Sequence, residues 1–186
     1  MRNTQLHEAL VETISQFKPH LTHAVTLTFK TQAYVKPRSF ERYYPAKGRL
    51  TYLNEEIAIS TLNYFYQLLT SLLFGRDSKR TSTKAFSVPL MISSLEGLHN
   101  GKHLHAHLAI GNLPPNVDIY SAVARAWEGC DFGDRDIVVK PLSDSRGWIT
   151  YITKEAEVGN LDALSLQDIK QPQIYLSALA WKTAGS

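Results

Sequence analysis

His103, His105 and His107 recur at every second position of Gly101-Lys102-His103-Leu104-His105-Ala106-His107-Leu108-Ala109-Ile110-Gly111-Asn112, a stretch holding three of the chain's seven histidines. In a β-strand alternate side chains share a face. The three imidazoles then form one column, and Leu104, Ala106, Leu108 and Ile110 occupy the other face. Such a strand is apolar toward a core and metal-capable toward a cleft, because imidazole is a general ligand for divalent metals. The same spacing also suits a half-buried strand with solvated histidines, so the column needs a second chemical group before it implies a reaction.

A candidate for that group lies in Gly147-Trp148-Ile149-Thr150-Tyr151-Ile152-Thr153-Lys154-Glu155, preceded by Asp144 and Ser145. Either of these can N-cap a helix. At about 100° per residue, Trp148, Ile149, Ile152 and Ala156 make one apolar stripe, with Tyr151 and Lys154 together off it. Their i, i+3 spacing makes the phenol and the ammonium neighbours. Taken alone, a Tyr-x-x-Lys pair is common and reads as surface decoration.

In this order the two motifs resemble those of the His-hydrophobic-His (HUH) endonucleases: rolling-circle replication initiators, conjugative relaxases and certain single-strand transposases. A third feature fits, since Thr26-Leu27-Thr28-Phe29 looks like the first motif of the replication initiators. The resemblance spans about residues 22–157 and is strongest to the single-tyrosine initiators (Rep) of plasmids and phages. Tyr151 has no second tyrosine a helical turn away, the next being Tyr175. The resemblance implies a central antiparallel sheet of about five strands, histidines on its middle strands, and a nucleophilic tyrosine on a helix across the cleft. It also implies a magnesium or manganese cofactor, and an acidic or amide third ligand for which Glu96 is the candidate.

Which histidines form the motif proper is open, because His103-Leu104-His105 and His105-Ala106-His107 both satisfy it. The second pair is favoured, since Leu108-Ala109-Ile110-Gly111 continues as the family's apolar strand end. His103 or Glu96 then completes the ligand set. Strict alternation groups Glu96 with Val88, Leu90 and Ile92 without saying which face that is, and a bulge at Pro89 or in the turn would change it.

Composition sets the frame. The chain has 186 residues, 44% hydrophobic and 20% charged, enough to bury one core, so residues 1–186 read as one domain. No apolar run approaches the ~18 residues of a membrane span, and Glu8 and Glu12 interrupt an N-terminus unlike a signal peptide. A single cysteine, Cys130, rules out an intrachain disulfide framework or thiolate zinc cluster and favours the cytoplasm. Net charge is only +3, but it is unevenly spread. Lys30, Lys36, Arg38, Arg42, Lys47 and Arg49 form one basic island against Glu41, interleaved with Phe40, Tyr43 and Tyr44; Arg76, Lys79, Arg80 and Lys84 form another around Asp77. Cations for phosphates and aromatic faces for unstacked bases suit single-stranded nucleic acid, so Lys36, Arg38, Arg42, Tyr43, Tyr44, Lys47 and Arg49 are candidate DNA contacts.

The remaining pattern predicts an α+β domain, an antiparallel sheet with helices packed against it. A helix is expected to about Phe17, before Pro19; a strand over 24–30, with Val25, Leu27 and Phe29 on one face; and a long helix from Asn54 to Gly75, burying Ile57, Leu62, Phe65, Leu69, Leu72 and Leu73. Phe86 to Leu95 reads as a strand hairpinned to the histidine strand, with Pro89 marking a bulge or sheet edge. A helix over 119–128 capped by Asn116 or Asp118 turns Val123 and Trp127 inward, and a strand over 135–140 leads to the tyrosine helix. Ile174 to Trp181 reads as a short packed segment.

The resemblance implies nicking of single-stranded DNA at a replication origin, with or without a hairpin. Tyr151 is the expected nucleophile, assisted by Lys154, and the ion on His105 and His107 is completed by His103 or Glu96. No nucleotide-binding Gly-x-x-x-x-Gly-Lys-Ser/Thr loop is present, so unwinding calls for a host helicase in trans. Relaxase or single-strand transposase is the alternative within the superfamily. Outside it stand a zinc hydrolase using a metal-bound water and a non-catalytic single-strand binding module.

Overall fold

The alternation of threonines with apolar residues in the first motif builds the centre of the fold. In the computed structural model, which describes residues 2–35, 48–80, 86–97, 103–153 and 169–172, β1 (Leu21–Phe29) buries Val25, Leu27 and Phe29 on one face. Thr26 and Thr28 take the opposite face. β4 (Leu90–Glu96), β5 (His105–Gly111), β1 and β6 (Gly133–Pro141) lie side by side in that order, each antiparallel to its neighbour. The protein is therefore α+β. Among the described residues its main sheet has four strands against the expected five or so, with β2 (Gln32–Val35) and β3 (Arg49–Tyr52) paired in a separate two-stranded sheet. This hairpin escaped the sequence pattern: its strands are four residues long and half-exposed, so they carry little hydrophobic alternation.

Helices cover both faces of the sheet. On one, α2 (Glu55–Phe74) and α3 (Ile119–Glu128) pack over Val25, Leu27, Phe29, Ala106, Leu108 and Ile110. Trp127 meets Phe29 and Phe65 edge-on at 5.0 and 5.6 Å and donates its indole N–H to the Thr28 carbonyl. On the other, α1 (Arg2–Ser15) with the turn after it and α4 (Ser145–Ile152) bring Ile14, Phe17, Ile149 and Ile152 down on Leu21, Leu90, Ile92 and Ala109. The histidine strand thus runs through the middle of a three-layer structure, with its column on the α4 side.

Local chemistry sets the helix ends. The Asn54 side chain accepts from the Ile57 N–H, and Gly75 ends α2 at φ 54°, a backbone region that favours glycine. Asp118, not Asn116, caps α3. Leu72 at the end of α2 is 43% exposed rather than buried. By average hydropathy α2 is the one described helix long and apolar enough to cross a membrane, which qualifies the expectation from unbroken apolar runs. Here its Ala58, Leu62, Phe65 and Leu69 lie in the core, although only 28% of its apolar window is buried.

β4 begins at Leu90, later than expected, because the Phe86 and Val88 carbonyls accept from the Asn112 side-chain amide instead of a strand partner. Pro89 stands just outside this edge strand, and its carbonyl accepts from the Tyr66 hydroxyl. Burial pushes that phenol up to about 12, as suits a tyrosine used for packing. Lys170 bridges to Met91 through both backbone hydrogen bonds and so covers part of the β4 edge. The segment 174–181 lies outside the described residues.

Candidate metal centre

β-Sheet register decides which side chains meet. Glu96, the last residue of β4, pairs with His105, and Ser94 pairs with His107. Because cross-strand partners share a face, Glu96 joins the histidine column, and the β4–β5 register runs without a bulge. The alternation that grouped Glu96 with Leu90 and Ile92 holds: those two enter the α1–α4 core while Glu96 extends the same face to the cleft.

Glu96, His105 and His107 form a group whose ligand atoms all lie within 4.8 Å of one another. Glu96 Oε2 stands 3.0 Å from His107 Nε2 and 3.4 Å from His105 Nε2. Two ligand atoms ~2.1 Å from a common ion lie ~3 Å apart at right angles and ~4.2 Å apart in line, so small side-chain movements bring all three onto one cation. Glu96 and His107 are almost fully buried and His105 is partly open. A carboxylate in such a place is costly unless a cation or hydrogen bonds compensate it. Two imidazoles and a carboxylate suit a divalent ion and leave further coordination positions for water or substrate.

The imidazoles are oriented from behind. His105 Nδ1 donates to the His103 carbonyl at 2.9 Å; a carbonyl can only accept, so the proton sits on Nδ1 and Nε2 presents its lone pair to the site. His107 Nδ1 lies 3.1 Å from Thr26 Oγ1. His103 itself is corrected from its place in the column: it precedes β5, its side chain is exposed, and it stands outside the three-residue group, serving through its backbone.

Tyr151 reaches this group from α4. Asp144 caps that helix by accepting from the Gly147 N–H, and Ile149 and Ile152 fasten it to the sheet. The Tyr151 hydroxyl comes within 3.3 Å of His107 Nε2, and the two rings meet edge to face at 4.8 Å. The phenol remains 39% exposed, so a ligand can approach it. By helical angle Trp148 belongs to the apolar stripe, yet it stacks on Tyr151 at 5.2 Å and donates its indole N–H to the Leu108 carbonyl. Only contact distances show this, since its helical angle placed it on the buried stripe.

Lys154 lies outside the described residues, as do Lys36, Arg38, Arg42, Tyr43, Tyr44 and Lys47. Arg49 opens β3 and is exposed. The hairpin adds two aromatics that the sequence reading did not single out. Tyr34 and Tyr52, 71% and 67% exposed, sit diagonally on one face with Leu50. The available signal was their position at either end of the basic, aromatic stretch.

Fold and site together define an α+β domain with a two-histidine, one-carboxylate candidate metal centre and a tyrosine at its mouth. Compared with protein-family models, curated proteins and solved structures, the chain finds no match.

Proposed function

We propose that this protein is a metal-dependent HUH endonuclease that nicks and rejoins single-stranded DNA through Tyr151, acting in the cytoplasm at the origin of a rolling-circle plasmid or phage. The observation that carries the reading is the 3.3 Å approach of the Tyr151 hydroxyl to His107 Nε2, an atom of the candidate metal group. A zinc hydrolase uses a similar donor set but gives the phenol no role.

An ordinary phenol has a pKa of about 10 and needs activation as a nucleophile. Glu96, His105 and His107 would hold the cation, which when bound draws charge from the non-bridging oxygens of the scissile phosphate. The resemblance implies magnesium or manganese, and imidazole ligation favours manganese of the two. The Tyr151 oxygen attacks phosphorus, the P–O3′ bond breaks, the phenol proton passes to solvent, and the departing 3′ oxygen takes up a proton. The product is a tyrosine 5′-phosphodiester and a 3′-hydroxyl, which primes synthesis and later attacks to rejoin the strand. Lys154 would offset charge on the phosphate. Tyr34 and Tyr52, which flank the basic 36–47 stretch in sequence, offer stacking faces, each worth ~1–3 kcal/mol per base. A separate helicase would supply single strands. Relaxase or transposase activity would use the same chemistry at another site of action.

Incubation with a single-stranded oligonucleotide library and manganese tests this directly. A denaturant-resistant protein–DNA adduct is expected from the wild type and none from Tyr151→Phe, which should still bind metal and DNA. Cleavage surviving in Tyr151→Phe indicates a hydrolase instead, and DNA binding without cleavage by either protein indicates a binding module.

A further inference from the structure

We infer that Thr26 is the positioning residue that lets His107 present Nε2 to a cation, which gives the Thr26–Phe29 motif a place in the site. This rests on the metal-centre reading above. Register carries the argument first: Thr26 pairs directly with His107 across β1 and β5, with Oγ1 3.1 Å from Nδ1. His107 is 6% exposed, so solvent has little access to satisfy the nitrogen behind the ring.

The two histidines are held differently. The His103 carbonyl accepts only, which locks the His105 proton on Nδ1 with or without an ion. A hydroxyl both donates and accepts. Without a cation, a His107 Nε2–H can donate to Glu96 Oε2 at 3.0 Å while Thr26 donates to Nδ1. With a cation on Nε2, the ring proton moves to Nδ1 and Thr26 turns to accept it. Valine has nearly the same shape and suits a strand, but it can do neither. Leu27 and Phe29 point into the opposite core, so the motif's apolar half builds the sheet and Thr26 orients the ligand.

Calorimetric titration with manganese and with zinc tests the inference on wild type, Thr26→Val and Thr26→Ser. Loss of an outer partner of a metal-bound histidine typically weakens binding ~10–100-fold; that loss is expected in Thr26→Val, with Thr26→Ser near wild type. Long-range proton–nitrogen correlation of labelled histidine in zinc-loaded wild type should show His107 protonated at Nδ1 and ligated through Nε2. Equal affinity in wild type and Thr26→Val, Thr26→Ser as weak as Thr26→Val, or ligation through Nδ1 overturns the role of Thr26 and leaves the metal centre standing. Absence of binding by the wild type removes both. Where Thr26→Val does not fold, ligation of the wild-type His107 through Nδ1 still overturns the inference, and Thr26→Ser still tests the need for a hydroxyl.

Discussion

Trp148 joins three parts of the site: its indole N–H is bonded to the histidine strand, its face supports Tyr151, and its ring centre lies 5.7 Å from that of His107 in a T-shaped arrangement. Stacking holds the phenol ring without engaging its hydroxyl, which faces His107 Nε2 at 3.3 Å. Small errors in placing a reacting group can cost on the order of a hundredfold in rate. Trp148→Ala is accordingly expected to slow adduct formation by about that factor while manganese affinity stays near wild type. Single-turnover adduct kinetics beside calorimetry separate the two, and an unchanged rate would show that Trp148 only packs.

At the level of elements, the strands owe their alignment to close backbone approaches and the helices to their caps. Gly111 ends β5 opposite both Leu21 and Leu90, and a Cβ there would run into the His20 carbonyl. Gly111→Ala should lower stability by ~1–3 kcal/mol, the usual cost of overpacking, as read by urea unfolding; an unchanged midpoint would mean that the chain entering β1 yields freely. Asp118 ties the first turn of α3, and its carboxyl lies below the usual range because it accepts first from the Ser121 hydroxyl and then from the Ser121 N–H. Its unfolded counterpart, with the ordinary pKa near ~3.9, holds protons more tightly. The stabilisation is therefore complete above that value and disappears as pH falls through the lowered folded pKa. Asp118→Asn, neutral throughout, should lose ground to the wild type above pH ~4 and converge with it in stronger acid. A gap that is constant with pH would contradict this.

The molecule as a whole couples the site to stability, because the candidate ligands sit on β4 and β5 while α4 closes over them. A cation that binds only the folded state adds ~2.7 kcal/mol at a hundred times its Kd, or about 5–11 °C in Tm for a chain of this size. Manganese should produce that shift in the wild type and not after His105→Ala with His107→Ala. Scanning calorimetry reads it, and a shift of the same size in the double variant would place the ion elsewhere.

Much of this was legible in the order of residues. Period-two alternation identified β1 and β5 and the opposite faces of the histidine strand; Asn54 and Gly75 marked both ends of α2; Asp144 or Ser145 announced the tyrosine helix. These are local properties, decided by backbone geometry and by polar groups within a turn of one another. Strand neighbours are not local, and no periodicity states that Glu96 faces His105 or that Thr26 faces His107. The first pairing rests on the exact register of a hairpin and the second on strands whose partners are 81 residues apart, while His103 falls outside the ligand group because it precedes β5. Trp148 and Tyr151 likewise acquired their places only when Ile149 and Ile152 docked α4 onto the sheet. The chain by itself determined which side chains carry imidazole, carboxylate and phenol groups at these spacings; tertiary packing decided which converge, because convergence is a property of distance through space.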